Sequence, residues 1–166
     1  MGIGLRLLAL IPEKARDTFL ILAFGWWKIP LIAFVRPRVI EMNDDRLKML
    51  IPLRRRTKNH LGSMYFGALM IGADAAAGYY AAKLIWNSGE KIDFVFKSAQ
   101  GLFLKRPTGD VVFTCEQGAV IRDLVQRSLG GERVDAELKV FATVPSLSPD
   151  VVAEMTLVLS LKKRKN

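Results

Sequence analysis

Residues 63 to 85, SMYFGALMIGADAAAGYYAAKLI, put small or apolar side chains on every side of a helical wheel. A helix apolar all round is either wrapped by other protein or spans a membrane. Between Lys58 and Lys83 the stretch carries one formal charge, Asp74. Its neighbours one turn away, Met70, Ile71, Ala77 and Gly78, offer no cation. A buried carboxylate without a local partner is costly, and its pKa rises. Asp74 is therefore a candidate for chemistry. The alternatives are a partner supplied from elsewhere in the fold, or a wet interface.

The amino end of this helix adds a second set of candidates. Asn59, His60, Gly62 and Ser63 form a polar, turn-prone approach, with Ser63 the predicted N-cap. The first turn, Met64 to Gly67, is expected to present unpaired N–H groups and the positive end of the helix dipole. Such an end can hold a developing oxyanion, and Gly67 permits close approach to the backbone. Asp74 follows seven residues later, roughly 10 Å along the axis. These parts suit attack on an acyl carbonyl.

The segment from Thr57 to Trp86 resembles the hotdog-fold acyl-CoA thioesterases, in particular the phenylacetate-type branch and thioesterase-like domains related to it. In that branch an asparagine, a glycine at the start of the central helix and an aspartate within it recur at similar spacing. Asn59, Gly67 and Asp74 fall on those places. There are two departures. The usual His-Gly-Gly before the helix reads Tyr65-Phe66-Gly67, and Gly78 stands where some relatives carry a hydroxyl residue. The resemblance implies an α+β hotdog fold, an antiparallel β-sheet wrapped around a long central helix. It also implies sheets paired edge to edge as a dimer or a dimer of dimers, with active sites at the subunit boundary. On this reading Asp74 is general base or nucleophile toward an acyl-CoA thioester, and backbone N–H groups near Phe66 and Gly67 polarise the carbonyl. Asn59, from the same or the facing subunit, binds substrate or orders water. No cofactor is required.

The remaining chain supplies the sheet. A helix is predicted from Pro12 to about Trp27, as part of an N-terminal helical extension over residues 1–35. Met1 to Ile11 is too short in its apolar part for a signal peptide. Thr18 to Val35 has Lys28 as its only charge, but Pro30 interrupts it, so a packing helix is expected rather than a span. Val39 to Asn43, and then Leu47 to Leu53 with alternating polarity, read as strands. Further strands are expected from Ile92 to near Lys105, Val111 to Glu116, Val134 to Ala142 and Val151 to Leu161. A one-faced helix is expected over Gln117 to Leu129. Residues 1–166 read as one domain, ending in a basic tail at 162–166.

Partners follow from charge and hydropathy. The net charge of +9 favours acidic partners, and Arg54, Arg55, Arg56 and Lys58 are placed to bind coenzyme A phosphates. No nucleic-acid motif accompanies the charge. A hydrophobic share of 51% and mean hydropathy of +0.20 suggest a subunit interface, an apolar channel or membrane contact, of which homo-oligomerisation is preferred. With one cysteine and one histidine, neither an intrachain disulfide nor a multi-histidine metal site is available, and a cytoplasmic location is expected. Two other functions remain compatible. One is a 3-hydroxyacyl thioester dehydratase using His60, fourteen residues before Asp74; the other is a non-catalytic acyl-binding domain.

Overall fold

The long apolar helix forms because alanine is its commonest residue and Ile71 and Ile85 are its only β-branched ones, and it ends at Gly89, whose φ of 70° supplies a left-handed cap. The computed structural model describes residues 12–164; the reading of Met1 to Ile11 lies outside the described residues. In chain order the elements are α1 (Glu13–Lys28), α2 (Pro30–Val35), β1 (Arg38–Met42), β2 (Leu47–Ile51), α3 (Phe66–Ser88) and β3 (Ile92–Phe103). They continue as β4 (Val111–Cys115), α4 (Gly118–Ser128), β5 (Val134–Val144) and β6 (Ser148–Lys163). The strands form one antiparallel sheet of order β1-β2-β4-β5-β6-β3. Helix α3 is the long central helix of the expected hotdog fold.

Alternation sets which face of each strand is buried. Leu47, Met49 and Ile51 on β2, and Leu138, Val140 and Ala142 on β5, are fully buried toward α3. Helix and sheet approach closely at Gly72. A Cβ there would lie 2.3 Å from the ring of Phe113 on β4, so only glycine lets the helix settle at this depth.

Helices α1 and α2 form a hairpin that closes at Gly25, where an added Cβ would meet the Ala33 nitrogen at 2.8 Å. The α1 boundary matches the expected helix. No helix of the described residues is long and apolar enough to cross a membrane. Trp26 and Trp27, however, do not pack inward; they are 81% and 80% exposed.

Two expectations change. Helix α3 begins at Phe66 with Tyr65 as N-cap, not at Ser63. Ser63 is instead buried in a turn, where its hydroxyl accepts from the Asn59 amide at 3.0 Å. The expected tail is partly sheet, since Lys162 and Lys163 belong to β6 and pair with Asp93 and Ile92. Arg164, beyond the strand, forms an ion pair with Asp93. Lys165 and Asn166 lie outside the described residues.

Candidate active site

One stripe of α3 holds the candidate carboxylate. Phe66, Met70, Asp74 and Gly78 recur every four residues and so share a helix face. That face runs along β3. The ring of Phe66 is 6.2 Å from that of Phe103, and a Cβ on Gly101 would meet the Met70 sulfur at 3.2 Å. A Cβ on Gly78 would lie 3.5 Å from Phe96 and 3.6 Å from Phe94. Among the described residues strand β3 pairs with β6 alone and is one of the two edges of the sheet.

Asp74 sits midway along this stripe. It borders an apolar crevice with about 40 Å³ of free space, walled by Ile21 and Phe24 of α1, Ile32 of α2, Gly78 and Trp86 of α3, and Phe94 of β3. Among the described residues no side chain or backbone group hydrogen-bonds its carboxylate, and no cation lies within ion-pair distance. Burial away from water pushes its pKa up from 3.8 to about 6. A carboxylate so placed is mostly ionised at neutral pH, yet basic enough to accept a proton there. The same helix shows the contrasting case. Lys83 and Tyr79 both reach Asp17 on α1, at 2.9 Å and 3.1 Å, and Asp17 is completely buried. The phenol of Tyr79 is held well above its ordinary range, first by burial and then by the charge of Asp17.

The amino end of α3 opens on a separate and larger cavity of about 440 Å³. Asn59, His60, Tyr65, Phe66, Phe103, Lys105 and Arg106 are among its walls. The start of the helix is fixed from outside: Tyr65 N–H donates to the Thr57 carbonyl at 2.8 Å, and Met64 N–H to that of Pro107 at 2.9 Å. Ala68 and Leu69 donate to the Tyr65 carbonyl. Among the described residues, the N–H groups of Phe66 and Gly67 meet no acceptor. These are the donors an oxyanion would use. The Tyr65 ring, however, lies over Gly67, where an added Cβ would come within 2.6 Å of it. Glycine at 67 thus makes room for Tyr65, whose ring is half exposed and covers that approach.

Asn59 is spent locally. Its Oδ1 accepts from Leu61 N–H at 2.9 Å and Ser63 N–H at 3.2 Å, closing the turn before the helix. His60 is exposed on the rim of this cavity, away from the Asp74 crevice.

The basic run does not meet the cavity. Thr57, fully buried, holds the turn by donating to the Pro52 carbonyl at 2.8 Å and accepting from Arg54 N–H at 2.9 Å. Arg54, Arg55 and Arg56 therefore project on the outer surface beside Phe34 and Arg36. Lys58 is exposed within a short bridge to Met64. The cations that line the cavity are Lys105 and Arg106, and Lys105 also pairs with Asp150 at 2.7 Å. Sequence reasoning missed both. Their proximity depends on β3 returning past the start of α3, which no local pattern encodes.

Solved structures share this architecture. A protein of unknown function from Pseudomonas aeruginosa, PA5026, described as a probable thioesterase, superposes with a TM-score of 0.70 at 22% identity, covering 89% of this chain and 96% of that one. A Chlorobaculum tepidum protein of unknown function gives a TM-score of 0.77 at 11% identity, covering 91% and 97%. A variant of the Staphylococcus aureus thioesterase SAV0944 gives 0.62 at 13%, covering 80% and 98%. No curated protein matches the chain. The likeness to these structures carries the fold, which is the hotdog fold. The family model described as a domain of unknown function, DUF4442, matches residues 19–160, and the chain belongs to that family.

Proposed function

We propose that this protein hydrolyses acyl-CoA thioesters, with Asp74 as the group that activates water or attacks directly. The observation that carries the reading is an unpaired, partly buried carboxylate among apolar side chains, its pKa pushed up to about 6, on the helix face that runs beside a sheet edge. In the general-base form Asp74 takes a proton from water as its oxygen attacks the thioester carbon. The carbon–sulfur bond then breaks, and the proton passes to the departing thiolate, giving a carboxylic acid and coenzyme A thiol. In the nucleophilic form an Asp74 oxygen bonds to the carbon and the carbon–sulfur bond breaks, expelling coenzyme A thiolate. Water then cleaves the mixed anhydride, giving the carboxylic acid, restoring the Asp74 carboxylate and supplying the proton that the thiolate takes up. The free N–H groups of Phe66 and Gly67 polarise the carbonyl once the Tyr65 ring swings aside. The names of the thioesterase relatives point the same way.

The crevice at Asp74 is too small for an acyl group, since ligand pockets run to about 300 Å³ or more. We place the reaction in a homodimer joined along β3, where Val95, Leu102 and Phe103 are half exposed on an unpaired edge. In that arrangement the 440 Å³ cavity of one subunit faces Asp74 of the other, and Asn59 and Phe66 act across the boundary. Arg106 and Lys105 hold coenzyme A phosphates there, a role their position favours over Arg54, Arg55 and Arg56. Turnover of short, medium, long and aromatic acyl-CoAs, measured for the wild type and for Asp74→Asn, tests the proposal. Hydrolysis that survives Asp74→Asn at the wild-type rate overturns it. Hydration of enoyl thioesters that depends on His60 would replace it with dehydratase chemistry.

A further inference from the structure

The outer face of the α1–α2 hairpin breaks the usual rule for surface helices. Residues Phe19, Ala23 and Trp26 follow one another at helical spacing on the side of α1 opposite the buried Asp17, Ile21 and Gly25. A surface helix normally places charge there. Here Phe19 is 59% exposed and Trp26 and Trp27 about four-fifths exposed, and Leu31 and Phe34 of α2 extend the patch. No charged residue lies between Asp17 and Lys28. An apolar patch of this size on a surface marks an interaction site.

The surroundings of the patch state what kind of partner it fits. Lys28 stands over the Trp27 ring at 4.1 Å, and the Arg56 guanidinium over Phe34 at 5.2 Å. Arg36 and Arg56 share a concavity with Trp26 and Phe34, and Arg55 adjoins it. Among the described residues none of these four cations pairs with a carboxylate. A second copy of the chain is a poor occupant. A two-fold contact would set this cluster against its own image, like charge against like. Aromatic residues projecting from a helix and ringed by free cations are instead complementary to an anionic lipid surface, where rings enter the headgroup boundary and cations meet phosphates.

We propose that the α1–α2 hairpin docks the protein on anionic membrane surfaces, with Trp26, Trp27 and Phe34 inserted and Lys28, Arg36, Arg55 and Arg56 on the headgroups. The inner face of the same hairpin, through Ile21, Phe24 and Ile32, walls the Asp74 crevice. The inference does not depend on hydrolysis.

The test is co-sedimentation of the full chain with vesicles of phosphatidylcholine containing phosphatidylglycerol, and with vesicles of phosphatidylcholine alone. Binding to the anionic vesicles is expected, weakening as salt rises. Trp26→Ser with Trp27→Ser should reduce it at least tenfold. Arg36→Gln, Arg55→Gln and Arg56→Gln together should reduce it by roughly 100-fold, since each cation near the surface contributes about a factor of five. All these side chains are exposed, and unchanged circular dichroism confirms folding. In the wild type, tryptophan fluorescence should shift to the blue on binding, and the shift should vanish in the double tryptophan variant while Trp86 remains. Equal binding to both vesicle types, or none, overturns the proposal. Loss in the arginine variant alone would make the patch a general polyanion surface, and a smaller oligomer in the tryptophan variant with unchanged vesicle binding would make it a subunit contact.

Discussion

Asp17 on α1 and Asp74 on α3 both lie among apolar side chains, and they are treated in opposite ways. Asp17 is fully buried, and each of its oxygens has a partner, Lys83 Nζ on one and the Tyr79 hydroxyl on the other, with Glu13 adding a second carboxylate to Lys83. Asp74 retains some contact with solvent and, among the described residues, has no hydrogen-bond or ion-pair partner. A paired buried charge ties elements together, while an unpaired one stores unfavourable energy that a reaction can use. The difference separates a structural carboxylate on α1 from a candidate catalytic one on α3.

The largest expected effect tests that separation directly. Asp74→Asn should lower kcat by roughly a thousandfold, measured as thiol release, while the protein remains folded. If kcat is unchanged, the unpaired carboxylate has no catalytic task. Asp17→Asn should do the reverse, costing about 3 kcal/mol in denaturant unfolding because Lys83 is left largely uncompensated, with kcat per folded molecule preserved. A neutral effect on stability would show that Glu13 alone satisfies Lys83.

The pH dependence sharpens the contrast further. The folded-state pKa of Asp74 is raised from 3.8 to about 6, so the folded protein binds this proton more tightly than the unfolded chain. Its contribution to stability is then fully present below about pH 4 and is lost as pH rises through 6. The loss is on the order of 2 kcal/mol, reduced from the full shift because the carboxylate keeps some solvent. Asp74→Asn should abolish this step and be the more stable protein at pH 8. Over the same range kcat/KM of the wild type should rise with pH to a plateau above 6, as the base ionises. A flat profile would remove Asp74 from the rate-limiting proton transfer.

The smallest effect probes the missing partner. Space at Gly78 is adequate for a side chain, with contacts of 3.5 Å and longer. Gly78→Ser should bring a hydroxyl to the Asp74 carboxylate, lowering the inflection of the pH–rate profile by less than one unit. An unmoved inflection would mean that the serine hydroxyl turns elsewhere.

Legibility in the sequence followed range. Asp74 and its apolar helix were readable because the evidence is local: one charge in twenty-odd residues of continuous helix. Strands β2, β5 and β6 were readable because alternation is local too. The start of α3 was not, because Ser63 has the chemistry of an N-cap and nothing nearby shows that Asn59 engages it first. The Asp17–Lys83 pair joins residues 66 apart in the chain and has no sequence signature. Arg54, Arg55 and Arg56 lead toward the helix in sequence, but the turn held by Thr57 aims them outward. The helix that carries Trp26 and Trp27 read as a packing helix, because hydropathy alone does not tell an inner helix face from an outer one.

The contact of Gly72 with Phe113 reaches further than its size suggests. It lies half a turn from Asp74, on the side of the helix away from the crevice. A methyl group at position 72 would lift the helix from the sheet by a sizeable fraction of an ångström, and the carboxylate would ride with it relative to β3. In a saturation library screened for activity, this position should tolerate almost nothing, although it touches no substrate. Drift among relatives would then be coupled: a smaller ring at 113 opens the way for alanine at 72, and the pair changes together or not at all. The depth of one helix in its sheet is in this sense an inherited measurement, kept by two residues whose only chemistry is their volume.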